Sequence, residues 1–239
     1  MEENNVRINK FISQCGYCSR READRYIEEG KVTINGETAS KGARVLPNDI
    51  VKVNGKLLAE KPKEIVIAFH KPTGIVCTTS KKEPDNIIDY IHFPERIYPV
   101  GRLDKDSSGL ILLTNNGQLM DDILRARNYH EKEYIVTVDH AMPKAIYDSL
   151  EQGVPILGTM TRPCKVTERN GKQFHITITQ GLNRQIRRMC EYFGYRVRKL
   201  KRIRIMNIQL SDLPEGKWRY LTDQEMHELK KQISDGGRK

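Results

Sequence analysis

The chain has 239 residues, enough for one or two domains with a substantial buried core. Its 41 lysines and arginines against 31 acidic residues leave a net charge of +10, which points to a polyanionic partner only where that charge is concentrated. The 38% hydrophobic content and 17 glycines exclude collagen, low-complexity disorder and a coiled-coil rod, and the longest apolar run, Ile65–Phe69, is far short of the roughly 20 residues that cross a bilayer.

Taken in chain order, Val6–Gln14 reads as a short helix with Ile8, Phe11 and Ile12 on one face. Ser19 and Glu22 have capping-box spacing ahead of a second helix whose apolar stripe is Ala23, Tyr26 and Ile27, with Gly30 as its stop. Arg20 and Arg21 fall in that helix's first turn, where free amides and guanidinium groups together suit phosphate. Asn35-Gly36 and Asn54-Gly55 each follow a short β-rich run and predict two hairpins. The polar stretch Ala59–Glu64, with Pro62, reads as a linker, which places domain boundaries at 1–60 and 61–239. Met1–Asn5 is acidic and polar, so no secretory leader is expected. Five cysteines are too few for a disulfide framework, and the Cys15-x-x-Cys18 pair has no second pair at zinc-finger distance.

Beyond Glu64, strands and helices alternate. Ile65–Phe69, Leu110–Leu113, Tyr134–Val138, Lys165–Glu168, Phe174–Thr179 and Met206–Leu210 read as strands, with Asn170-Gly171 a third hairpin turn. Helices are expected after Asn115-Asn116-Gly117 to about Arg127, over Arg184–Phe193, and after a Thr222/Glu225 capping box. The fraying end is expected at Asp235–Lys239. The fold class is therefore α+β: two helices and a small sheet, then a larger domain around a mostly antiparallel sheet.

Charge is concentrated in one place. Between Gly181 and Arg204 stand nine cations against the single anion Glu191, a net of +8, whereas Met1–Glu60 holds ten cations and nine anions. Such a segment points to nucleic acid. No G-x-x-x-x-G-K-[ST], G-x-G-x-x-G or G-x-S-x-G motif occurs, and the six histidines show no i, i+4 pair or deaminase-type metal spacing. No nucleotide cofactor or metal is expected. The best-displayed carboxylates lie in the loop Gly101–Gly109, where Asp104 and Asp106 read from local sequence either as reactive groups or as an Asx-turn.

Two resemblances sharpen this reading. Arg7-Ile8-Asn9-Lys10-Phe11-Ile12, CSRREADRYIEEGKVTING and Pro47–Gly55 resemble an S4 RNA-binding domain, which implies RNA contacts from Lys10, Arg20, Arg21 and Arg25. Lys71-Pro72-Thr73-Gly74, GRLDKDSSGLILLTNNG, Lys132-Glu133-Tyr134 and Gly181–Met189 then occur in the order of the RsuA/RluB/RluE/RluF group of ribosomal RNA pseudouridine synthases. HEKEYIVTVD and RIRIMNIQL are most similar to its RluF-type branch, whose members modify large-subunit (23S) rRNA and in some cases tyrosine tRNA. The resemblance implies Asp104 as catalytic aspartate, Tyr134 as the ring packed on the target uracil, and Arg187 as the aspartate's partner. It also implies Arg102 in the space left by the extruded base, and Lys71, Arg184 and Arg188 as further RNA contacts.

The implied reaction turns uridine into pseudouridine, an isomerisation that needs neither redox cofactor nor energy source. Arg187 would favour the charged carboxylate and fix its orientation. Asp106 is given a loop-structural role. The alternative function is a non-catalytic RNA-binding or ribosome-assembly protein carrying an S4 module. A cytoplasmic monomer with RNA as partner and no membrane attachment is expected.

Overall fold

Two Asn-Gly pairs set the geometry of the first part of the chain. In the computed structural model, which describes residues 5–58, 62–125 and 129–236, Asn35 and Gly36 take φ of +52° and +92°, and Asn54 and Gly55 +50° and +74°. Left-handed values at both positions match the twist of the strands they join. They close Val32–Ile34 on Glu37–Thr38 and Val51–Val53 on Lys56–Leu57, and the four strands form one antiparallel sheet.

Helices Ile8–Gln14 and Arg20–Glu28 precede the sheet. The Ser19 hydroxyl accepts the Glu22 N–H at 3.1 Å, as the capping pattern requires. Ile8, Ile12, Ala23 and Ile27 close on Val32, Val51 and Val53 as a small core, with Phe11 and Tyr26 at its edge. The first helix starts two residues later than expected, because Val6–Arg7 pairs with Arg44–Val45 as a short strand. Contacts divide the chain into two compact units, Met1–Glu64 and Ile65–Lys239. Residues 59–61 of the expected linker, 126–128 of the expected helix end and 237–239 of the expected fraying end lie outside the described residues.

The second unit is built on a nine-stranded sheet. Its main order is Lys165–Asn170, Gln173–Ile178, Lys132–Val138, Val197–Ile205, Ser108–Thr114, Val66–Lys71 and Trp218–Tyr220. Tyr98–Pro99 and Ile208–Gln209 add to Ser108–Thr114 and Val197–Ile205. Among the described strands of this sheet one pairing, Val197–Ile205 with Ser108–Thr114, is parallel, and the others are antiparallel. The chain is thus α+β with a mostly antiparallel sheet. Val66–Lys71 and Ser108–Thr114 are apolar almost throughout because both faces are covered. Ile67, Phe69, Ile111 and Leu113 pack on Ile87–Ile91, Lys144–Gln152 and Gln185–Tyr192. Val66, Ala68, Leu110 and Leu112 pack on Gly117–Leu124 and Asp223–Gly236.

Two sequence expectations shift, and one strand was not anticipated. The third hairpin turns at Gly171-Lys172, because Asn170 still pairs with Gln173 and a bulge at Glu168 (φ +51°) absorbs the difference. Met206-Asn207 is a turn between strands and no strand starts there; its short partner is Ile208–Gln209. The cation-rich run Val197–Ile205 is itself a nine-residue strand that crosses the middle of the sheet.

Candidate active site

The loop Gly101–Ser107 enters from one strand and leaves into Ser108–Thr114, so its ends are fixed by the sheet. Several contacts hold its middle. The Leu103 N–H reaches the Cys77 sulfur at 3.3 Å, the Gly74 N–H donates to the Lys105 carbonyl at 2.7 Å, and the Ser107 N–H donates to the Asp104 carbonyl at 3.0 Å. Leu103 and Ser107 are buried, while the Asp104 side chain between them remains one-third exposed. Asp106, two residues on, is more exposed still, so the fixed loop holds two carboxylates within reach of solvent.

Two arginines from the next segment meet that loop. Arg184 Nη1 lies 3.3 Å from Asp104 Oδ2 and 3.3 Å from Asp106 Oδ1. Arg187, on helix Gln185–Tyr192, is almost fully buried. It donates to the Val197 carbonyl at 3.1 Å, the Asp106 carbonyl at 3.0 Å and the Ser107 hydroxyl at 3.1 Å. Its Nη2 also lies 3.2 Å from the Asp106 carboxylate, and its Nε, 3.9 Å from Asp104 Oδ2, has no hydrogen-bond partner. Burial works against the Asp106 charge, but Arg184 and Arg187 outweigh it and hold that carboxyl below the usual range.

Asp104 stands between two clefts. One, of about 530 Å³, is lined by Gly74, Val76, Lys105 and Asp106; the other, of about 480 Å³, contains Lys132, Tyr134, Leu182 and Arg202. Arg102, Leu103, Asp104 and Arg184 line both. Each has room for a nucleoside-sized group. Tyr134 is buried on the central strand Lys132–Val138, directly across from Arg202 on Val197–Ile205. Arg202 donates from Nε to the Leu110 carbonyl at 2.6 Å, and its Nη1 reaches the Tyr134 hydroxyl at 3.4 Å.

This arrangement offers a carboxylate, a buried ring and several cations in one pocket, and it sits on a fold shared with known proteins. Residues 65–192 match the RNA pseudouridylate synthase family, and residues 6–51 match the S4 domain. The chain is 54% identical to the dual-specificity RNA pseudouridine synthase RluF of Escherichia coli strain K12, over 98% of this chain and 82% of that protein. It is 34% identical to ribosomal large subunit pseudouridine synthase B of Bacillus subtilis strain 168, over 97% and 98%. A crystal structure of a pseudouridylate synthase superposes with a TM-score of 0.69 at 29% identity, covering 94% of this chain and 99% of that one. The chain belongs to the RNA pseudouridylate synthase family. No helix of its described residues is long and apolar enough to cross a membrane.

Of the residues singled out in sequence, the synthase brings Asp104, Tyr134, Arg102 and Arg184 to one cleft, with Arg187 buried behind Asp104. Arg188 folds back on Asn183, donating to its carbonyl at 3.1 Å and its side-chain oxygen at 3.2 Å. Lys71 requires a correction. It is fully buried, and its ammonium donates to the Pro72 and Ile75 carbonyls at 2.7 and 2.8 Å, so it staples the Lys-Pro-Thr-Gly turn and presents nothing to RNA. Arg20, Arg21 and Arg25 are exposed on the second helix of the first unit, with Arg25 3.8 Å from Glu22, and Lys10 is half-buried on the first. Cys15 and Cys18 are free thiols, Cys18 within the core.

Sequence reasoning gave no role to Lys132 or Arg202. In sequence Arg202 is one of the nine cations of the segment that points to nucleic acid, with no role of its own. The signal that could have found it is its place two residues after the buried Leu200, on the inward face of an alternating strand.

Proposed function

We propose that this synthase converts uridine to pseudouridine in 23S ribosomal RNA and in tyrosine tRNA, with Asp104 as its catalytic carboxylate. The observation that carries the reading is the placement of Asp104: one-third exposed, common to both clefts, and faced by two arginines. Two relatives support the reading: one is a dual-specificity RNA pseudouridine synthase and another a synthase of the large ribosomal subunit.

The target atoms lie within RNA, so the nucleotide must be turned out of its stack, at a cost of a few kcal/mol. In this reading Arg102, which lines both clefts, occupies the space left behind. Asp104 then opens the N1–C1′ bond, either by bonding C1′ or by taking the C2′ proton. The uracil turns against the Tyr134 ring, C5 joins C1′, and loss of the C5 proton with uptake of one at N1 restores the aromatic ring. Arg187 fixes the loop and Arg184 the carboxylate, so little reorganisation is needed as charge moves.

The test is to map pseudouridines in total RNA from cells with and without the protein. One missing site in 23S rRNA and one in tyrosine tRNA are expected. Unchanged maps of both RNAs would overturn the substrate assignment.

A further inference from the structure

The Tyr134 end of the cleft that contains Lys132 and Arg202 carries more positive charge than the protein itself balances. Lys132 and Tyr134 stand two residues apart on one strand, so both project to the same face. Arg202 faces Tyr134 from the neighbouring strand, is 2% exposed, and keeps a buried Nη2 group without a hydrogen-bond partner. The Lys132 ammonium reaches the His130 carbonyl at 3.4 Å. The charged side chains lining the cleft are Arg102, Asp104, Lys132, Arg184 and Arg202, one carboxylate among four cations. The neighbouring acids are engaged elsewhere, Glu131 and Glu133 with Arg204 at 2.9 and 2.8 Å. Burial, and then the charge of Arg202, push the Lys132 ammonium down to about 8.

Holding two such cations near each other is costly unless an anion arrives to meet them. The reaction supplies one. When N1–C1′ opens, its electron pair goes to N1 and spreads over O2 and O4 of the ring. We propose that Lys132 and Arg202 form a two-cation seat that takes up the negative charge of the displaced uracil until C5 closes on C1′. The Arg202 Nη2 group supplies a fixed donor and Lys132 a mobile one. Neither exchanges a proton with the ring. The ring's electron pair forms the C5–C1′ bond as Asp104 leaves C1′ or returns the C2′ proton; the C5 proton is then lost to solvent and N1 takes one up, so the product is an isomer of the substrate. The inference rests on the reading of Asp104 as the group that opens the bond.

The test is tritium release, under single turnover, from a 23S rRNA transcript carrying [5-³H]uridine. The seat works only while Lys132 is charged, so the wild-type rate should fall as pH rises through about 8. Lys132→Arg should move that fall beyond pH 9. Lys132→Met should slow the reaction about 100-fold, as expected for removing one charge-stabilising donor, and flatten the profile between pH 7 and 9. RNA affinity by filter binding should stay at the wild-type value, and the melting temperature should not fall, since the paired cations cost stability. If Lys132→Met does not fold, the Lys132→Arg profile alone decides. A Lys132→Met enzyme at wild-type rate would overturn the seat, as would a wild-type rate that rises through pH 8 and ceases to do so in Lys132→Arg. Asp104→Asn, run in parallel, separates the two readings. Release by that variant overturns the role of Asp104, whereas no release together with an unimpaired Lys132→Met overturns the seat alone.

Discussion

Asp104 and Asp106 are two residues apart and share Arg184, yet the loop gives them different work. Asp106 carries the closer contact to the Arg187 fork, 3.2 Å against 3.9 Å, and its backbone carbonyl accepts from the same arginine. Asp104 is left less engaged and lines both clefts. Asp106 therefore tethers the two arginines that also face Asp104. The consequence concerns Arg187, whose planar fork joins the loop to Val197 in a way a lysine cannot reproduce. Arg187→Lys should lower kcat at saturating RNA by about 100-fold, with a smaller change in RNA affinity. Normal turnover at saturating RNA would remove Arg187 from its role as the carboxylate's support.

At the scale of elements, the parallel pairing of Ser108–Thr114 with Val197–Ile205 couples the aspartate loop to Arg202. Gly109 makes that pairing possible. It has φ +106°, and a Cβ there would drive into the backbone nitrogen and carbonyl of Arg202. Gly109→Ala should cost at least about 3 kcal/mol from strain and clash together, read as a lowered urea midpoint, with activity falling alongside. A midpoint within error of wild type would show that the two strands can separate without penalty. The hairpins were legible in sequence because Asn-Gly encodes a local φ preference, and the reciprocal Thr222–Glu225 cap because it is a local hydrogen-bond pattern: the Glu225 N–H donates to Thr222 at 3.1 Å, and the Thr222 N–H to the Glu225 carboxylate at 2.9 Å. Val197–Ile205 was not legible as a strand. Its alternation is hidden by cations on both faces, and Arg202 is tolerated inside only because Leu110 and Tyr134 meet it from two other strands. Lys144–Gln152 was missed as well, since its inward positions include Tyr147, whose hydroxyl donates to the Gly171 carbonyl at 2.7 Å, a contact only the folded chain creates. Asp104, Tyr134 and Arg184 were legible as motif residues, but their convergence depends on strand register, which no local pattern states.

Across the whole molecule, charge density in sequence overstates charge at the surface. Of the nine cations in Gly181–Arg204, Arg187 and Arg202 are buried, Arg204 is tied to two glutamates, and Arg188 and Lys201 are half-buried, which leaves Arg184, Arg196, Arg198 and Lys199 as the exposed members. The first unit adds Arg20, Arg21 and Arg25, exposed on one helix. Replacing Arg20 and Arg21 together with alanine should weaken RNA binding and reduce the slope of log affinity against log salt by about 1.5 to 2, with the melting temperature unchanged. An unaltered slope would exclude that helix from the RNA contact. The division of labour between a binding unit and a reacting unit reduces to one carboxylate, and its direct test is pseudouridine formation by Asp104→Asn on a 23S rRNA transcript at saturating concentration. The expected result is no detectable product with RNA affinity within a few-fold of wild type; product at the wild-type rate would contradict the account.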